Sequence, residues 1–283
     1  MRKDLLPLLL LLALLVAGFA GYRVLFSSEA AFVLVEATGD VRRTDALGGQ
    51  RALEAGAALD ARDRVSAGAG GRAVLAIGDD TRVTVEEESS VKVLGVDAAG
   101  VRLELEGGRV QATVRPGSGS VGIVAGDTEF TSDDADFRVD RDGDVVGVAV
   151  DRNAVSVKGL DGVTEVREGQ TLVAPADGDP LLRPATEALL LYVADPAAAR
   201  VRDDATEVRG KTVPGARVRV RGAGDWQEVR ADPNGEWVAR VSLAEGENAV
   251  RVEARDVLGN VATSSVTVVR DTTAPAVGVE VRF

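Results

Sequence analysis

The chain has 283 residues and a net charge of −12, with 45 acidic and 33 basic side chains and neither cysteine nor histidine. Without those two residue types there are no disulfides, no thiol nucleophiles, no Cys/His zinc sites and no Ser-His-Asp triads, and metal binding is limited to hard cations on oxygen ligands. The acidic balance argues against nucleic acid as a partner, and an aromatic content of 4% is too low for the girdles of an outer-membrane barrel.

Arg2 and Lys3 precede an uncharged apolar run from Leu5 to Tyr22. As a helix, that run spans about 27 Å, close to the thickness of a bilayer core. Residues 1–28 are therefore expected to be a signal anchor or transmembrane segment. It would hold the protein in the inner membrane through residues 5–22, with the bulk of the chain exported to the periplasm. Gly18 and Ala20 form a small-x-small pair, so cleavage near Ala20 and secretion is the alternative.

Beyond the anchor the hydrophobic period is two. Examples are Arg82–Val85, Val101–Leu105, Val145–Val150, Val155–Val157, Arg217–Val220 and Val250–Val252. Glycine, Asp and Asn punctuate these runs, as at Asp142-Gly143 and Asn234-Gly235, where hairpin turns need positive φ. The expected fold class is all-β: two β-sandwich or roll domains in tandem behind one N-terminal transmembrane helix. Pro175, Pro180 and Pro184 bracket a polar stretch, and proline cannot donate to a sheet ladder. Residues 176–188 are therefore read as a linker between domains at 33–175 and 189–283. The alternating C-terminus Val277–Phe283 reads as a last or extra strand.

Within 33–175 the pieces Gly39-Asp40-Val41, Leu53–Leu59, Asp63–Gly68, Gly71–Ile77, Gly78–Thr81, Leu105–Val110 and Glu168-Gly169-Gln170 occur in sequence. In that order they resemble a FecR domain, the envelope domain named for the ferric-citrate sensor-regulator. The family often carries Gly-Thr-x-Phe before a late strand; the equivalent here is Asp134-Ala135-Asp136-Phe137, which keeps only the Phe. Residues 189–283 resemble a bacterial Ig-like domain through Gly210–Ala216, Asp232–Trp237 with its hairpin turn, Leu243–Asn248, Asp256–Asn260 and Asp271–Pro275. The first resemblance implies sigma-factor regulation through a cytoplasmic N-terminal segment, yet only Met1–Asp4 precede the apolar run. The favoured expectation is a non-enzymatic, membrane-anchored envelope protein that binds or scaffolds protein partners. The alternatives are periplasmic signal relay through a membrane partner and, from the Ig-like resemblance, glycan or peptidoglycan binding.

No catalytic or cofactor-binding residue is assigned. Asp140, Asp142 and Asp144 alternate around Gly143 like part of a calcium loop, but position 12 of such a loop falls on Asp151 after a strand-like run. A hairpin turn is the favoured reading. Glu86–Glu88 and Asp133, Asp134 and Asp136 could supply paired carboxylates for glycoside hydrolysis, a chemistry that needs one raised pKa in a cleft. Solvated acidic faces are the simpler reading. Ser156 and Lys158 share a strand face, but a Ser-Lys dyad needs a buried lysine. Trp226 and Trp237 read as a core pair rather than a sugar-stacking platform.

Overall fold

The computed structural model describes residues 32–194 and 200–273. Every regular element among them is a strand, so the all-β expectation holds. In chain order they are β1 (Phe32–Thr38), β2 (Val41–Thr44), β3 (Gln50–Ala52), β4 (Ala58–Leu59), β5 (Arg64–Ala67), β6 (Arg72–Ile77), β7 (Thr81–Val85) and β8 (Ser89–Asp97). Next come β9 (Gly100–Thr113), β10 (Ser120–Ala125), β11 (Thr128–Ser132), β12 (Ala135–Asp142), β13 (Val145–Lys158), β14 (Glu165–Arg167), β15 (Gln170–Pro175) and β16 (Leu181–Pro184). The last are β17 (Leu191–Val193), β18 (Arg200–Val201), β19 (Ala205–Thr212), β20 (Arg217–Arg221), β21 (Gln227–Arg230), β22 (Glu236–Ser242), β23 (Gly246–Arg255) and β24 (Val261–Arg270).

Strands β1–β16 form one hydrogen-bonded system folded into two layers. One layer runs β4-β1-β6-β7-β9-β12-β13-β15-β16, the other β3-β2-β5-β8-β9-β10-β11-β13-β14. β9 and β13 belong to both because each bends midway. The first half of β9 pairs with β8 and β10, and its second half with β7 and β12. The bend falls at Gly107-Gly108, where Gly108 has φ +86° and a Cβ would lie 2.3 Å from Ser89 Oγ. In β13 the bend falls at Asp151–Asn153, where Asn153 takes φ +60°, a conformation asparagine tolerates better than most residues. Register shifts at Ser90/Val91 and Asp136/Phe137 accommodate the two bends, as bulges do in strongly curved sheets.

Between the layers lies a Val-rich core built around Phe32, Phe130 and Phe137, all fully buried with Leu75, Leu103, Leu105 and Ile123. Burying each such side chain stabilises the fold by roughly 1.5–3 kcal/mol. The Phe retained at position 137 is thus a core residue. The runs Val145–Val150 and Val155–Val157, which read as separate strands in sequence, are two halves of β13.

Strands β17–β24 make a three-stranded sheet, β17-β19-β22, and a five-stranded sheet, β18-β24-β23-β20-β21. The two share a core in which Val208, Trp237 and Val241 from the first sheet pack with Val218, Val220, Val250 and Val252 from the second. The strict alternation of β20 and β22, exposed then buried, follows directly from Arg-Val-Arg-Val-Arg and Glu-Trp-Val-Ala-Arg-Val-Ser.

Two expectations meet a different structure. The stretch read as a linker contains β16, which pairs with β15 and adds an edge strand to the first layer. Pro180 and Pro184 fit because they flank or end that edge strand, where ladder donors are dispensable, and Pro175 is the last residue of β15. The turn at Asp232–Gly235 is not a hairpin: β21 and β22 lie in different sheets, so the turn is a corner between them. No helix among the described residues is long and apolar enough to cross a membrane. The Leu5–Tyr22 run lies outside the described residues, as do the C-terminal alternation at Val277–Phe283 and the cleavage site expected near Ala20.

Candidate functional site

A polar cleft of about 610 Å³ opens where β9, β12 and the turn before β8 approach β20; its walls include Glu86–Glu88, Arg109, Arg138, Arg141, Asp142 and Arg217. The β12–β13 hairpin supplies one wall. Its turn residues are Gly143 and Asp144, between the paired Asp142 and Val145. Gly143 has φ +61°, at the position a type II′ turn reserves for glycine.

Asp140 and Asp142 project two residues apart from this hairpin. Asp140 is 3% exposed and accepts hydrogen bonds from Arg109 Nε and Arg138 Nε. Burial pushes its carboxyl above the ordinary value, although both arginines pull the other way. Arg109 and Arg138 also donate to the Leu258 carbonyl at 3.3 and 3.2 Å, which ties β9 and β12 to the β23–β24 turn. Asp142 accepts a fork from Arg217, Nε to Oδ2 at 2.7 Å and Nη2 to Oδ1 at 2.8 Å, and a third bond from Arg230 Nη2 at 3.0 Å. The Arg217 hydrogen bonds, with Arg230 beside them, hold the Asp142 carboxyl below the ordinary range. The weak calcium candidate of Asp140, Asp142 and Asp144 therefore takes the form of a hairpin turn whose first two carboxylates are given to four guanidinium groups. No group of three or more carboxylates suited to a metal occurs among the described residues.

The cleft continues into a junction between β1–β16 and the C-terminal sheets. Leu258, on the β23–β24 turn, packs with Val145, Ala149 and Val173. Gly147 makes room for that turn, since a Cβ there would stand 2.7 Å from Val257 Cγ1 and 2.9 Å from Leu258 Cδ2. Arg183, on β16, donates to Asp256 at 2.7 Å, with side chains 7% and 0% exposed. Asp256 also accepts from Asn260 N and Nδ2 at 2.8 and 2.9 Å, so the buried carboxylate is well satisfied.

The other sequence candidates are placed apart from the cleft or differently within it. Asp134 and Asp136 lie in a network with Arg115, Arg152 and Asn153. Arg152 lowers Asp134; for Asp136, burial alone would raise the carboxyl, but hydrogen bonds from Arg115 and Arg152 outweigh it. Lowered carboxyls are the reverse of what a glycosidase acid needs. Glu86–Glu88 line the cleft, but Glu86 faces Arg72 at 3.7 Å and Glu87 accepts the Gly70 N–H. Ser156 and Lys158 are both exposed. The tryptophans do not form a core pair. Trp237 is buried, while Trp226 is half-buried on the outside of the five-stranded sheet with Arg219 stacked 4.8 Å from its ring centroid. They form no shared sugar-stacking platform.

The arginines that organise this region, Arg109, Arg138, Arg183, Arg217 and Arg230, were not singled out in the sequence. They alternate with apolar residues on strands and read there as a solvated face; Arg109 and Arg138 find Asp140 across β9 and β12, and the approach of the C-terminal sheets gives Arg183, Arg217 and Arg230 their partners.

Residues 63–156 match the sequence profile of the family described as FecR protein. They run from just before β5 into the second half of β13 and include both bent strands. A search of curated proteins finds no match. Among solved structures, the chain is similar to two structures of a candidate anti-sigma factor from Parabacteroides distasonis. Both are 14% identical with TM-scores of 0.38; the alignments cover 43% and 47% of this chain and 59% and 68% of those chains. The chain thus spans less than two thirds of the first of them. It also resembles a calcium-stabilised, ice-binding adhesin of an Antarctic bacterium, at 14% identity and a TM-score of 0.24 over 86% of this chain and 66% of that one. Likenesses this distant do not extend to function.

Proposed function

We propose that the chain is an exported, non-enzymatic component of the bacterial envelope that relays a signal by contact with a protein partner, anchored in the inner membrane through residues 5–22. The observation that carries this reading is the FecR match over 63–156, the stretch that forms most of both layers. The electrostatics favour contact over catalysis. The carboxylates of Asp134, Asp136, Asp140 and Asp142 are all engaged by arginine, a state suited to holding a surface rigid and ill suited to passing a proton. Relay is favoured over passive scaffolding because the FecR family is named for a sensor-regulator.

The test is transcript profiling in the source organism after removal of the chain. Relay predicts a restricted set of transcripts that changes and is restored by the wild-type gene. An unchanged profile, with altered envelope integrity alone, would overturn relay and return the protein to a structural role. Hydrolase panels on glycan, peptide and ester substrates are expected to show no turnover by the purified chain; turnover lost in Asp136→Asn or Asp142→Asn would overturn the non-enzymatic reading.

A further inference from the structure

We infer that the outward face of the five-stranded sheet is a docking surface for a carboxylate-rich protein segment. The inference stands apart from the relay reading, since a chain with no part in signalling could carry the same surface. It begins with the Arg-Val-Arg-Val-Arg of β20, whose alternation turns Val218 and Val220 inward and Arg217, Arg219 and Arg221 outward. The register places more arginine beside them. Arg217 stands opposite Arg230 on β21 and Arg255 on β23, and Arg221 stands opposite Arg251. Six arginines therefore share one sheet face in a chain whose net charge is −12. The acids on that face are fewer: Glu228 and Glu253 stand opposite Arg219 on either side, and Glu247 lies farther along β23. Like charges directly opposite one another weaken a sheet, so pairing within the sheet gives no reason for these rows.

The face also shows what it binds. Asp142 is a carboxylate at a turn from outside the sheet, and it is gripped by Arg217 in a fork and by Arg230. Bidentate recognition of this kind is what the planar guanidinium does best. Arg221, Arg251 and Arg255 are exposed and make no ion pair or side-chain hydrogen bond among the described residues. They present the same planar guanidinium fork. Along a strand, side chains on one face recur at about 6.6–6.8 Å. An extended peptide with an acid at every second position presents carboxylates at that interval. Exposed Thr263 and Ser265 on β24, opposite Glu253 and Arg251, add hydroxyls for its backbone. Glu228 and Glu253 favour a peptide over a dense phosphate polymer, because a peptide can place a cation or a neutral residue against them.

Trp226, beneath Arg219 at 4.8 Å, is a built-in reporter for the test. A (Ser-Glu)5 peptide is titrated into the full chain, with tryptophan fluorescence and calorimetry as readouts. Saturable binding is expected, weakening as salt rises from 50 to about 300 mM. It should weaken at least tenfold in Arg221→Glu/Arg251→Glu and stay unchanged in Arg209→Glu/Arg240→Glu on the other sheet. If the charge reversal fails to fold, Arg221→Gln/Arg251→Gln with wild-type melting serves instead. The inference is overturned by absence of saturable binding, by equal binding to the Gln variant, or by tighter binding of polygalacturonate or phosphatidylglycerol vesicles at equal charge.

Discussion

Asp140 and Asp142 lie two residues apart on one strand, yet their carboxyls are displaced in opposite directions. Burial raises Asp140, whereas the Arg217 fork and Arg230 lower Asp142. A carboxyl lowered in the folded state contributes stability that is present above its ordinary value near 3.8 and is lost as pH falls through the folded value. Asp134 and Asp136 share that sign. The protein is therefore expected to lose stability as pH drops below about 4. In urea titrations across that range, Asp142→Asn should flatten the acid limb; Asp140→Asn should not, because a raised carboxyl acts in the opposite sense. A limb unaffected by Asp142→Asn would show that the Arg217 fork is loose in solution. At neutral pH, Asp142→Ala should cost about 1–2 kcal/mol, the usual range for hydrogen bonds to a charged group trimmed for partial exposure. Asp140→Ala should also cost about 1–2 kcal/mol, since the two arginines it leaves are partly exposed and keep the Leu258 carbonyl. Millimolar Ca²⁺ should leave the melting temperature unchanged, because the cation would have to displace guanidinium groups. A rise of many degrees, abolished by Asp142→Ala, would instead restore the calcium reading. The hairpin at Gly143 was legible from Asp-Gly alone, but the guanidinium partners were not. Three of the four come from β9, β20 and β21, up to 88 residues away in sequence, and the fourth, Arg138, from β12 itself.

Strands β9 and β13 turn a run of short strands into a two-layered body, and each does so at one backbone position. Gly108 bends β9 against the Ser89 turn, where the hydroxyl accepts the Arg109 N–H at 2.8 Å and donates to the Glu87 carbonyl at 2.9 Å. A methyl at Gly108 would strike Ser89 Oγ at 2.3 Å and adopt a positive φ. Gly108→Ala should therefore destabilise by about 2–3 kcal/mol, measured by denaturant unfolding. A change below about 0.5 kcal/mol would mean that the bend is taken up elsewhere along β9. Asn153 marks the equivalent bend in β13, and Asn153→Gly should be close to neutral in backbone terms, with a modest loss from its amide bonds to Asp134. Alternation made the strands legible as strands. It could not show which of them continue through a bend, because Asp151-Arg152-Asn153 is polar and reads as the loop that usually ends a strand. The same limit explains Asp232–Gly235. Asp-Pro-Asn-Gly announces a tight turn in either setting, and whether the flanking strands pair or part to different sheets depends on what each buries. Trp237 turns into the core of the sheet pair, while Trp226 stays outside under Arg219.

The whole molecule depends on how β1–β16 meet the C-terminal sheets, and the prolines gave the least guidance there. Pro180 and Pro184 read as interruptions, but between them Leu181–Pro184 forms an edge strand and Arg183 turns inward to Asp256. A buried ion pair is weak evidence for stability as such, because desolvation offsets much of the attraction. Removing one member is a different matter, since it leaves the other buried and uncompensated, at a cost of about 3–5 kcal/mol. Leu258 against Val145, Ala149 and Val173, with Gly147 clearing space for the turn, adds an apolar wedge beside the pair. Together these contacts predict one cooperative unfolding transition for the full chain rather than two, seen by calorimetry. Limited proteolysis should cut first in the exposed stretches 176–179 or 185–188 and spare 181–184, whose backbone is paired with β15. Arg183→Ala and Gly147→Val attack the same junction by independent means, one through charge and the other through a clash with Val257 at 2.7 Å. Each should separate the single transition into two and speed cleavage throughout 176–188, while leaving the β-sheet circular dichroism of the folded chain intact. Two well-separated transitions already present in the wild-type chain would mean that the halves behave as beads on a flexible connection, with the Arg183–Asp256 contact too weak to couple them.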